Sequence, residues 1–175
     1  THFKEIANST DLPILLYNIP SRTGVSLTLE SILELAEIKN IVGIKDSSGD
    51  LNLLKALKEQ APDHFCVYSG DDSNYLETIK LGGDGVISVA SHVAGLQMNQ
   101  IYQLYQKGKV EEAEALNEKL KPLYKGLFCT TNPIPIKAIL NQLGMEVGGL
   151  RLPLVEMDQF ETLELFNELR GLLDE

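Results

Sequence analysis

The 175 residues contain no tryptophan, three histidines and two cysteines. Cys66 and Cys129 stand too far apart in sequence to read as a disulfide framework, and thiols used this sparingly suit a reducing compartment, so the expected setting is cytoplasmic. His2, His64 and His92 have no partners at ligand spacing, which excludes a zinc site from the reading. Basic residues are scarce. Fifteen Lys and Arg against 25 Asp and Glu leave a formal charge of −10, and no Lys/Arg cluster is available to neutralise phosphates, so a nucleic-acid partner is not expected. Long apolar runs are missing as well. Ile14-Leu15-Leu16 and Gly85-Val86-Ile87-Ser88-Val89 fall far short of the roughly 20 residues of a membrane-crossing helix, and Thr1–Glu5 lacks the layout of a signal peptide. No glycine-rich dinucleotide fingerprint and no nucleophile elbow occur.

What is present is a βα rhythm. Pro13–Tyr17, Ile41–Lys45, Phe65–Ser69 and Val86–Val89 are short runs with apolar residues on both faces, as strands of a helix-covered parallel sheet require. Between them the pattern predicts helices over Thr28–Ala36 (Thr28 as N-cap), Leu51–Gln60 and Ser73–Leu81, after an opening helix over His2–Ser9. The strand ends recur at intervals of 28, 24 and 20 residues. Such a repeat fits half of a (β/α)8 TIM barrel, an α/β fold, with a doubly wound sheet as the competitor. Leu15, Ile44, Val67 and Ile87 are expected on the face that looks into the barrel. From Val93 onward the pattern is helical: Met98–Lys107, Val110–Leu127, Pro133–Leu143 with Asn132 as cap and Gly144 as stop, and Met157–Leu173. The expected division is residues 1–91, the half-barrel, and 92–175, the last barrel helix with a C-terminal helical cluster.

In parallel barrels the reacting groups sit at the carboxyl ends of the strands. Lys45 ends the second strand after four apolar or small residues. An amine in apolar surroundings loses hydration, and the neutral amine is the form that attacks a carbonyl. A lysine that merely extends into solvent at a strand end fits the same spacing. Tyr17 ends the first strand, where its phenol can carry protons or simply pack. Arg22, in the loop that follows, can grip a carboxylate bidentately or form a surface ion pair. Two other motifs read as structural. Gly82-Gly83-Asp84-Gly85 precedes its strand and reads as a tight turn, and Asp71-Asp72 opens a helix, where capping outweighs metal binding.

Tyr17-Asn18-Ile19-Pro20-Ser21-Arg22-Thr23-Gly24, Gly43-Ile44-Lys45-Asp46, Ser69-Gly70-Asp71-Asp72, Gly85–Val89 and Asn132-Pro133-Ile134-Pro135-Ile136-Lys137 together resemble the dihydrodipicolinate synthase/N-acetylneuraminate lyase family. The resemblance runs in order along the whole chain and corresponds to strands 5–8 of the family's barrel. It implies that Lys45 forms an imine with pyruvate and that Tyr17 belongs to a proton relay. It further implies that Arg22 receives the carboxylate of aspartate semialdehyde and that the Ile87 carbonyl lies near bound pyruvate. The implied reaction is an aldol-type condensation followed by cyclisation in lysine and diaminopimelate biosynthesis. No metal or nucleotide cofactor is implied. Arg22 favours this synthase branch over N-acetylneuraminate lyase and related sugar-acid aldolases. The resemblance also implies a homo-oligomer and a preceding half-barrel that supplies four more βα units and the rest of the relay. A non-catalytic half-barrel scaffold is the reading from another class.

Overall fold

The computed structural model describes residues 1–174, which form two compact units, Thr1–Ile87 and the segment from Ser88 onward. In the first unit the order is α1 (His2–Asn8), β1 (Ile14–Asn18), α2 (Pro20–Thr23), α3 (Leu29–Ala36), β2 (Ile41–Asp46), α4 (Leu51–Gln60), β3 (Cys66–Ser69), α5 (Tyr75–Lys80) and β4 (Gly85–Val86). The four strands are parallel and lie in the order β1-β2-β3-β4. A doubly wound sheet reverses its order at a switch point, and this one does not, which removes that competitor.

Register sorts the side chains into two faces. Leu16, Ile44 and Val67 are aligned across β1, β2 and β3 and are almost fully buried. They pack with Ala7 of α1, Ile32, Leu35 and Ala36 of α3, and Leu54 and Leu57 of α4. Each such burial contributes about 1.5–3 kcal/mol. The other face is open: Leu15 is 44% exposed and Tyr17 46%. The expectation that Ile44 and Val67 look into the barrel is therefore corrected. They sit one residue out of phase with Leu15 and Tyr17, and a shift of one residue moves a side chain to the opposite face.

Local chemistry starts and stops these elements. Thr28 caps α3 by accepting from the Ser31 amide at 3.3 Å, and Asp50 caps α4 by accepting from Asn52 (2.9 Å) and Leu53 (3.2 Å). Asp71 accepts from the Ser73 amide at 3.1 Å and opens a 3-10 turn, Asp72–Asn74, where a continuous helix from Ser73 was expected. The glycine loop is a turn, with Gly82 at φ 82°, and Asp84 within it accepts from the Val67 amide (2.7 Å) and from Lys58 Nζ (3.0 Å). β4 is shorter than the expected Val86–Val89. Its last ladder-type bond runs from Ile87 N–H to Ser69 O at 2.9 Å; beyond it the Ser91 amide turns back on Ser88 Oγ and the His92 amide on Val89 O.

The second unit is helical: α6 (Ser91–Gln106), with non-helical dihedrals at Ala94, α7 (Val110–Gly126), α8 (Ile134–Gln142) and α9 (Gln159–Leu169). α9 opens on a capping box in which Asp158 accepts from Phe160 and Glu161 and the Glu161 carboxylate answers the Asp158 amide; it gives way to a 3-10 turn at Arg170–Leu172. Asn132 does not cap α8 as expected. Pro133 holds the N-cap position, which sets Asn132 one residue too early to reach the first free amides, and its Oδ1 is buried without a partner. Gly144 stops α8 at φ 80° as expected. Among the described residues, no helix is long and apolar enough to cross a membrane.

Candidate functional site

Tyr17, Lys45 and Tyr68 occupy one register line across β1, β2 and β3, close to the carboxyl ends of all three strands. In a parallel sheet, aligned residues share a face, so an amine is flanked by two phenols. Lys45 Nζ stands 4.3 Å from the centroid of the Tyr17 ring, within cation–π range. Lys45 is half-buried while Tyr17 remains open to solvent, so a small carbonyl compound can approach the amine from the open face. Burial pushes the Tyr68 phenol above its ordinary value, with Cys66 and Asp84 acting in the same direction.

One residue further along each strand, the side chains point to the covered face and tie the strand ends together. Asn18 and Asp46 are both buried, and Asn18 Nδ2 donates to Asp46 Oδ1 at 2.7 Å. Asp46 Oδ2 accepts from Ser48 Oγ (2.6 Å) and from its amide (3.2 Å), and Asn18 Oδ1 accepts from the Leu27 amide at 3.0 Å. Backbone bonds continue this belt: Ser47 N–H to Asn18 O at 2.7 Å and Gly70 N–H to Asp46 O at 2.6 Å. The two residues after Lys45 are thus held by hydrogen bonds to Asn18 of β1 and to Gly70 just past β3.

The expected site residues are distributed unevenly. The structure brings Lys45 and Tyr17 into contact. Ile87 lies just past β4, 40% exposed, anchored through its amide to the end of β3. Arg22 is exposed on α2, the single turn that follows β1; Gly24 ends that turn in the left-handed conformation, φ 71°, with its amide on Pro20 O. Among the described residues, no trio of His, Cys, Asp or Glu is placed to hold a metal ion. Sequence reasoning passed over Tyr68, the Asn18–Asp46 pair, Ser47 and Gly70. The first two carried a signal: a tyrosine in phase with Lys45, and a polar residue directly after each of Tyr17 and Lys45.

Comparison with known proteins bears on the whole chain. Residues 1–171 match the dihydrodipicolinate synthetase family. A 4-hydroxy-tetrahydrodipicolinate synthase of Halalkalibacterium halodurans is 51% identical over 94% of this chain and 56% of its own length. The crystal structure of a dihydrodipicolinate synthase from Bacillus anthracis superposes with a TM-score of 0.94 at 39% identity, covering 97% of this chain and 58% of that one. The synthase of Acinetobacter baumannii, crystallised with pyruvate, gives a TM-score of 0.89 at 41% identity over 98% of this chain and 59% of that one. The chain thus spans somewhat more than half the length of these relatives, and its four parallel βα units are part of a TIM barrel. With the family pattern matched nearly from end to end and the fold shared at this identity, the chain belongs to the dihydrodipicolinate synthetase family.

Proposed function

We propose that this chain carries the imine-forming part of a lyase that condenses pyruvate with aspartate semialdehyde, a 4-hydroxy-tetrahydrodipicolinate synthase. The observation that carries the reading is the amine of Lys45 held over the Tyr17 ring at the carboxyl ends of the strands. The neutral amine attacks C2 of pyruvate, a proton moves to the carbonyl oxygen, and loss of water from the carbinolamine leaves the imine. In this reading Tyr17, both donor and acceptor, carries those protons. Loss of a proton from the former pyruvate methyl group gives an enamine, and its carbon attacks the aldehyde. Arg22 takes the aldehyde substrate's carboxylate, and the Ile87 carbonyl lies beside the pyruvate unit. The chemistry runs through a covalent lysine adduct and needs neither metal nor nucleotide.

The names of the curated relatives support the synthase over N-acetylneuraminate lyase, and the pyruvate complex of the Acinetobacter baumannii relative supports the first substrate. We place the protein in the cytoplasm as a homo-oligomer, with a further half-barrel completing the site. The test is turnover by the full-length protein. Consumption of pyruvate with aspartate semialdehyde, and no cleavage of N-acetylneuraminate, is expected; the reverse preference overturns the reading.

A further inference from the structure

Gly70 follows β3 directly, and its φ does not lie in the left-handed region that calls for glycine. The reason for glycine there is space. A Cβ at this position would overlap Ser47 Oγ and would stand 2.9 Å from Lys45 Cε and 3.2 Å from Lys45 Cγ. Real Cβ atoms do not tolerate the first two approaches, so something must move. Gly43 is the instructive contrast: a Cβ there would overlap the backbone carbonyl of Cys66, which cannot move without breaking the β2–β3 ladder. At Gly70 the obstructing atoms belong to side chains, and one is the stem that carries the amine. Gly70 is itself fixed, its amide bonded to Asp46 O at 2.6 Å, so the strain falls on Lys45 and Ser47. Ser47 Oγ is buried without a hydrogen-bond partner, so no bond holds it in place.

We infer that Gly70 is a positioning residue: its bare Cα forms the slot in which the Lys45 stem lies, and that slot sets the amine above the Tyr17 ring. A methyl group at position 70 displaces the amine while leaving the sheet intact. The inference rests on the imine reading only for its catalytic consequence; the geometric claim stands apart from it.

The experiment uses the full-length protein labelled at the lysine ε-carbon, with the Lys45 signal assigned from Lys45→Arg. Ring current from Tyr17 shifts the Lys45 ε-protons upfield in the wild type, and Tyr17→Leu abolishes that shift. Gly70→Ala is expected to abolish it too, with the thermal transition kept, and to slow borohydride trapping of pyruvate by up to about 100-fold, the effect of displacing a reacting group by about 1 Å. Ser47→Ala/Gly70→Ala removes the overlap with the hydroxyl and retains the contact with Lys45, so it is expected to behave like Gly70→Ala, and Ser47→Ala alone like wild type. An unshifted Lys45 signal in folded Gly70→Ala overturns the inference. So does recovery in the double variant, which assigns the effect to Ser47, and so does loss of fold in both variants, which makes the glycine structural. A wild type that shows the ring-current shift but traps no pyruvate contradicts the imine reading and leaves the slot intact.

Discussion

Asn18 and Asp46 form a 2.7 Å hydrogen bond between strand ends, each directly after a residue of the Lys45–Tyr17 pair and each almost free of solvent. Asp46→Ala leaves buried Asn18 Nδ2 with only its long 3.4 Å bond to Ser26 Oγ and takes the acceptor from the half-buried Ser48 hydroxyl and amide. Each buried group left unpaired costs about 1–3 kcal/mol. The expected outcome is a loss of at least that size in urea denaturation with an unchanged m-value. Asn18→Asp sets two carboxylates against each other and is expected to recover part of its loss as the pH is lowered.

Gly43→Ala pushes a methyl group into the Cys66 carbonyl between β2 and β3. Overpacking of this kind costs about 1–3 kcal/mol. Differential scanning calorimetry should show a lowered transition temperature, in contrast with the retained transition expected for Gly70→Ala.

Tyr68 gives a pH dependence with a definite sign. Its phenol is raised in the folded state by burial, while an unfolded tyrosine ionises near about 10. The folded chain therefore holds this proton more tightly. The contribution is fully present below the unfolded value and is lost as pH rises through the folded one. Tyr68→Phe is expected to flatten the alkaline fall in stability, and the tyrosinate absorbance of the native protein should lack one early-ionising group that appears on unfolding.

Arg22 is the residue proposed to receive the aldehyde's carboxylate, and it is exposed, so the proposed contact is made in water. Loss of a hydrogen bond to a charged group costs about 1.5–3 kcal/mol, which is roughly tenfold or more in affinity. Arg22→Ala should raise KM for aspartate semialdehyde by that factor and leave formation of the pyruvate adduct unchanged. If the adduct is lost and the aldehyde spared, Arg22 has been assigned to the wrong substrate.

β1 and β4 are the end strands of the sheet, and Leu15, Tyr17 and Ile87 beside them are exposed. Residues 1–175 expressed alone therefore present unpaired backbone groups and an uncovered apolar face, a template for edge-to-edge pairing. Sedimentation should show association; a well-folded monomer contradicts this.

The strand positions were legible because each strand is a short β-prone run bounded by polar turns, and Thr28 marks its helix start by residue type alone. The face was less legible. Ile41-Val42-Gly43-Ile44 is apolar at both parities, so only the pairing of Ile44 with Leu16 and Val67 shows that it meets the helices. Ser88-Val89 has strand composition, but the chain turns there, with the Ser91 amide on Ser88 Oγ and the His92 amide on Val89 O, and Asn132 is a good capping residue displaced by one position. Lys45 and Tyr17 were legible as strand-end polar groups and through the family pattern. The slot at Gly70 was not, because it arises from contact between the loop after β3 and the stem of a β2 residue, which leaves no periodic trace.

The proposed function requires that the Lys45 amine form the imine. Full-length protein treated with pyruvate and borohydride, then digested and analysed by mass, should carry the reduced adduct on the peptide containing Lys45, and Lys45→Arg, whose guanidinium stays protonated and offers no free amine, should carry none. An adduct on another lysine, or full turnover with no adduct at all, contradicts it.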